Sequence, residues 1–196
     1  TAEVFYVAYT KDRVRDLSTR PITYAFNGGP GSSAVWLQMG TFGPRRVNMP
    51  DAVSPPPPPY ALEDNDQSIL DLTDLVFIDP VGTGFSKPVG EGKAEDFQGV
   101  SEDVRSVAEF IRLYTQRNGR WNSPKFLAGE SYGTTRAAGL VNYLQADGMF
   151  FNGVVLVSSI LNFQTARFEA GNDLPYILFL PTYAASAYYH GKLANK

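Results

Sequence analysis

The segment Gly129-Glu130-Ser131-Tyr132-Gly133 constrains this chain more than any other stretch. It fits the pattern G-x-S-x-G and lies between an apolar, strand-like run over residues 125–128 and a helical pattern over 132–146. The two glycines permit a turn tight enough to pass straight from strand to helix. Such a turn holds Ser131 in a strained backbone conformation, its hydroxyl above the strand end and at a helix N-terminus, where the helix dipole favours developing negative charge. Ser131 is the candidate nucleophile. The same five letters can also be a glycine pair around an ordinary serine; the flanking strand and helix argue against that reading.

A second loop points the same way. A predicted strand over 21–26 runs into Asn27-Gly28-Gly29-Pro30-Gly31, where three glycines open backbone angles closed to other residues and Pro30 contributes no N–H. Enzymes that transfer acyl groups on a strand–helix scaffold place half of their oxyanion hole in such an early loop. A plain glycine turn is the alternative, but a glycine loop followed by a serine turn about a hundred residues later is a joint pattern that turns alone seldom produce. The loop lacks the G-x-G-x-x-G order, so a dinucleotide-binding fold is the weaker reading.

The remaining pattern alternates strand and helix. Residues 3–9 read as a strand followed by a turn at 11–13, and 74–79 as a buried parallel strand ending at Pro80 and Gly82-Thr83-Gly84. Val100, Val104, Val107, Ala108, Ile111 and Tyr114 recur at helical spacing, with Glu102 and Asp103 as first-turn acids and Asn118-Gly119 as a stop. A further apolar strand spans 153–157, which implies a largely parallel sheet with helices outside. Ser32 and Ser33 are expected to cap a short helix over 34–39, and the run Pro55 to Pro59 an extended surface loop without function. Trp36, Phe85 and Tyr132 are read as core in preference to a side-chain pocket. The aromatic-rich stretch 175–190 leaves the strand–helix rhythm, and 173–196 reads as the start of a helical cap or insertion.

Composition closes off several classes. At 196 residues and 43% hydrophobic content the chain reads as one domain with one core. A net charge of −3 with scattered Lys and Arg leaves no footprint for nucleic acid, and no run approaches the ~18 apolar residues of a membrane span. The absence of cysteine excludes disulfides, thiolate metal sites and a cysteine nucleophile, though not secretion. No leader pattern follows Thr1, and the compartment stays open, the periplasm and the exterior both compatible. No metal or cofactor is expected.

Taken together, FNGGPGSS (26–33), FIDPVGTGFS (77–86) and FLAGESYG (126–133) resemble, in order, the serine carboxypeptidase family, whose members have the α/β-hydrolase fold. The resemblance covers nearly all of the chain. The lack of cysteine and the LPTYAASAYYHGKL tail look more like the bacterial branch than the disulfide-bonded plant and fungal members. It implies that Ser131 is the nucleophile, that the backbone N–H groups of Gly29 and Tyr132 form the oxyanion hole, and that Asn27 and Glu130 hydrogen-bond the free C-terminal carboxylate of a peptide. The implied substrate is a peptide with a free C-terminus, shortened one residue at a time. Where Glu130 meets that carboxylate one of the two must hold a proton, so binding is expected to tighten at acidic pH. An esterase or acyltransferase on the same scaffold, and a non-catalytic binding subunit, are the competing readings.

Such a serine needs an acid and a histidine that follow it in the chain. The one histidine, His190, stands in Tyr188-Tyr189-His190-Gly191-Lys192, which does not match the family's histidine loop. It is read as a cap or surface residue, although Asp147 and Asp173 fall between it and Ser131. The expectation is therefore the N-terminal part of the fold, stopping before the last strands and weakly active or inactive alone. The strand at 153–157 would then form an exposed sheet edge, open to self-association or to a completing chain.

Overall fold

The computed structural model describes residues 1–49 and 56–193. Pro55 of the expected proline run, and residues 194–196 of the expected cap, lie outside the described residues. The chain forms two compact units, residues 1–159 and 160–196.

In the first unit, strands β1 (Ala2–Glu3), β2 (Tyr6–Tyr9) and β3 (Ile22–Phe26) precede the single-turn helix α1 (Val35–Leu37). Then come β4 (Arg45–Val47), β5 (Leu62–Asp64), β6 (Asp74–Ile78) and β7 (Lys87–Pro88). Helix α2 (Val100–Arg117), strand β8 (Lys125–Glu130), helix α3 (Tyr132–Ala146) and strand β9 (Gly153–Val157) complete it. Five strands form the central sheet in the order β2-β6-β3-β8-β9; β2 is antiparallel to β6, and the other neighbours are parallel. Two small antiparallel ribbons, β1 with β7 and β4 with β5, lie apart from it.

Alternation along the strands divides the core in two. Ile22, Tyr24 and Phe26 of β3, with Val76, Ile78 and Leu127, pack against Val104, Val107 and Ile111 of α2 and Ala137, Leu140 and Leu144 of α3. The residues between them, Ala25, Leu75, Phe77 and Ala128, pack on the other face with Ala34 and Leu37. Being buried on both faces is why the central strands read as continuous apolar runs.

The opening strand predicted over 3–9 is divided between β1 and β2, and α2 runs one turn past its predicted end to the expected stop, where Gly119 has φ 64°. The helix expected over 34–39 is regular only over Val35–Leu37 and then widens into a π-type turn over Gln38–Phe42. Ser32 and Ser33 do not cap it. Its N-cap is Ala34, and the backbone N–H of Ala34 donates instead to Asp79 Oδ1 at 2.8 Å, an acceptor supplied by the loop after β6. Strand β9 lies at the end of the sheet, with Val154, Val155 and Leu156 exposed.

The second unit holds helix α4 (Leu174–Tyr189), with Pro175 at its first turn and Pro181 inside it. Phe168 packs against Tyr176 and Phe179, at ring-centroid distances of 5.0 and 5.5 Å. Asn172 Nδ2 donates to the carbonyls of Gln164 and Arg167. His190 caps the C-terminus of α4, exposed, with its ring edge-on to Tyr189. No helix among the described residues is long and apolar enough to cross a membrane.

Candidate active site

Register brings the two predicted loops together. Phe26 of β3 is paired with Gly129 of the parallel strand β8, so the residues that follow, Asn27 and Glu130, leave adjacent strand ends side by side. Carboxyl ends of parallel strands are where sheets of this kind bind ligands. Asn27 Nδ2 donates to Glu130 Oε2 at 3.0 Å, while Asn27 Oδ1 accepts from the Leu37 N–H at 3.1 Å. Both polar atoms of a nearly fully buried amide are thereby used, which fixes its orientation.

Ser131 joins β8 to α3 with φ 57° and ψ −124°, a region that residues with a Cβ rarely adopt and that costs about 1–3 kcal/mol. Its surroundings hold it there. Its N–H donates to the Val157 carbonyl at 2.9 Å, and its own carbonyl accepts from the Thr134 N–H at 2.9 Å and the Thr134 hydroxyl at 2.7 Å. The Ser131 side chain makes no capping hydrogen bond to the helix it begins.

The glycine loop packs on this turn backbone to backbone. A Cβ on Gly28 would lie 2.4 Å from the Tyr132 nitrogen and 2.7 Å from the Glu130 carbonyl oxygen, so no larger residue fits. Gly29, at φ 105°, turns the chain outward.

Four of the five predicted site residues, Asn27, Gly29, Glu130 and Ser131, line one cavity of about 400 Å³, to which Trp36 and Leu37 also contribute. Tyr132, the fifth, has its nitrogen against the glycine loop and its ring buried below. Burial, and after it the negative charge of Asp103, push the Tyr132 phenol above its ordinary range, with Arg136 opposing. A larger cavity of about 510 Å³, between the N-terminal strands and α2, contains none of these residues.

Two aromatic side chains depart from the expectation of a core role. Trp36 is 69% exposed and lines the cavity, because Leu37 takes the buried side of the same single turn and leaves Trp36 on its open side. Phe85 is 77% exposed and packs edge-on against Phe5 at 5.1 Å. Tyr132 is core as expected. Sequence reasoning missed Arg136 and Asp103, which lie directly beneath the site. Arg136 Nε donates to both oxygens of Asp103, at 2.8 and 3.1 Å, and Arg136 Nη1 to the Asn27 carbonyl at 2.7 Å.

A mostly parallel sheet with helices packed on it, and a serine on the turn between strand and helix, define an α/β-hydrolase. The fold is similar to that of Kex1(delta)p, a prohormone-processing carboxypeptidase from Saccharomyces cerevisiae, with a TM-score of 0.66 at 19% identity, covering 98% of this chain and 44% of the yeast one. The chain belongs to the serine carboxypeptidase family, whose profile matches residues 1–159, the whole of the first unit. Serine carboxypeptidase-like 36 of Arabidopsis thaliana is 29% identical over 131 residues, which cover 65% of this chain and 25% of the plant protein. The chain thus spans a quarter of the length of that relative and less than half that of the yeast structure.

Proposed function

We infer that these residues form the nucleophile-bearing part of a serine carboxypeptidase, which hydrolyses the last peptide bond of a substrate through an acyl-enzyme. The observation that carries this reading is the Asn27–Glu130 couple, 3.0 Å apart on the wall of the cavity that Ser131 also lines. An amide and a carboxyl side by side are suited to a terminal carboxylate: the amide donates, and the carboxyl, when protonated, donates as well. An internal peptide bond has no such group to offer.

In the proposed reaction a general base takes the Ser131 proton as Oγ bonds to the carbonyl carbon of the last peptide bond. The resulting oxyanion accepts hydrogen bonds from the Gly29 and Tyr132 N–H groups, and the dipole of α3 favours the same charge. The C–N bond then breaks, the proton passes to the leaving nitrogen, and water hydrolyses the ester. No base or acid is assigned within these residues.

Labelling with a fluorophosphonate tests the reading. Covalent modification at Ser131, together with hydrolysis of peptides ending in a carboxylate in preference to the same peptides ending in an amide, is expected. Equal hydrolysis of both would favour an esterase or acyltransferase, and an unlabelled Ser131 in the full chain would leave a non-catalytic binding subunit.

A further inference from the structure

Arg136 stands on the buried side of α3, one helical turn after Tyr132, and none of its surface reaches solvent. Burying a guanidinium is costly, and an apolar pair of similar volume would often be as stable as an ion pair at such a position. What an apolar pair could not supply is a directed donor. Nε is held by the Asp103 carboxylate, and Nη1 reaches the Asn27 carbonyl at 2.7 Å, just beyond the point where the β3–β8 ladder ends. The guanidinium carbon lies 5.4 Å from the ring centre of Phe26 and 5.2 Å from that of Tyr132, so one planar group touches the residue before Asn27 and the residue after Ser131. Its Nη2 is buried without a hydrogen-bond partner.

We propose that Arg136, oriented by Asp103, is a positioning residue that holds Asn27 in place and so aligns the Asn27–Glu130 couple for a substrate carboxylate. The sequence of contacts is short. Asp103 on α2 fixes the guanidinium, the guanidinium grips the Asn27 backbone, and the Asn27 side chain, its oxygen accepting from the Leu37 N–H, points its nitrogen donor at Glu130. The inference rests on the carboxypeptidase reading only for what the couple binds, not for the alignment itself.

The test uses the full chain and two variants. Arg136→Lys keeps the charge beside Asp103 but loses the planar fork. The double variant Asp103→Leu with Arg136→Met replaces the pair by apolar side chains and leaves no charge stranded. The first readout is the side-chain amide resonance of Asn27 by NMR, with Glu130→Leu, which removes the acceptor of the Asn27 amide, marking the position of an unaligned amide. Both variants are expected to move the Asn27 amide toward that marker while the melting transition stays cooperative. The second is kinetic: KM for a peptide with a free C-terminal carboxylate rises about tenfold, while turnover of a small neutral ester at Ser131 changes by less than about threefold. An unmoved Asn27 amide in a folded variant overturns the proposal, and so does an unchanged KM in an enzyme that prefers carboxylates. If the amide moves but the parent enzyme has no such preference, the carboxypeptidase reading fails and the positioning role stands.

Discussion

Two buried aspartate–arginine systems sit at opposite ends of one sheet, and they are built differently. At the amino end, Asp74 opens β6 and accepts from two guanidiniums, Arg20 Nε at 3.0 Å and Arg120 Nη1 at 2.5 Å, as well as from the Lys11 N–H. The other donors of both arginines are used too: Arg20 reaches the carbonyls of Asp71 and Leu70, and Arg120 reaches Ser123 and the Arg20 carbonyl. At the carboxyl end, one aspartate meets one arginine, a donor is left over, and aromatic rings replace the second ion. The amino end is saturated because it only has to tie strand starts together. The carboxyl end leaves capacity in the layer just below the cavity, where α/β folds place their chemistry.

Substitutions at the two ends are expected to separate reactivity from stability. The largest effect belongs to Ser131→Ala: labelling and peptide hydrolysis are expected to fall to background, on the order of 10⁶-fold in kcat where an acid and a histidine complete the site, with an unchanged melting temperature. Persistent labelling of the alanine variant would assign the nucleophile elsewhere. Asp74→Ala should do the reverse, costing about 3–5 kcal/mol because two buried guanidiniums lose their partner, with the labelling rate per folded molecule preserved. Denaturant unfolding of the two variants, run beside labelling, reads both quantities.

The amino end also carries a pH signature. Burial alone would raise the Asp74 carboxyl, but the Lys11 N–H and the Arg120 and Arg20 guanidiniums outweigh it and hold it below the ordinary 3.8. A depressed acid contributes stability that is complete above the ordinary value and is lost as the pH falls through the lower folded one. Stability of the parent chain should therefore drop below pH 3.8 more steeply than that of Asp74→Asn; parallel acid-unfolding curves would show that another carboxyl dominates. At the carboxyl end, the strain at Ser131 predicts a smaller gain. Ser131→Gly is expected to stabilise by about 1 kcal/mol, since glycine adopts φ 57° freely while adding entropy to the unfolded chain.

What the sequence made legible follows from which interactions are local. The loop 27–31 and the turn 129–133 were readable because their glycines answer to backbone geometry within a few residues. The central strands were readable because burial on both faces leaves an unbroken apolar run. Asp103 and Arg136 were not found, since their meeting depends on how α2 packs on α3, 33 residues apart in the chain. A signal was nevertheless present. Asp103 falls on the apolar stripe of Val100, Val104 and Val107, and Arg136 on the stripe of Tyr132 and Leu140, so each helix carries a charge on its buried face that demands a partner. The cap of α1 was misread for a similar reason: serines offered a local acceptor, and the fold supplied Asp79 from another strand end.

The last contrast is between a carboxyl saturated by fixed cations and one that, in the proposed reaction, waits for a substrate. Asp74 meets its partners in the folded chain and needs no proton. Glu130 has the Asn27 amide, and it would meet a peptide carboxylate only if one proton is shared between the two acids. KM for carboxylate-ended peptides should then rise with pH, by at most about tenfold per unit, once that shared proton is lost. Glu130→Gln carries a permanent N–H where the proton would be, so its KM is expected to stay flat over the same interval. A sloping profile that survives in Glu130→Gln would move the shared proton away from Glu130, and with it the claim that the Asn27–Glu130 couple reads the end of the peptide.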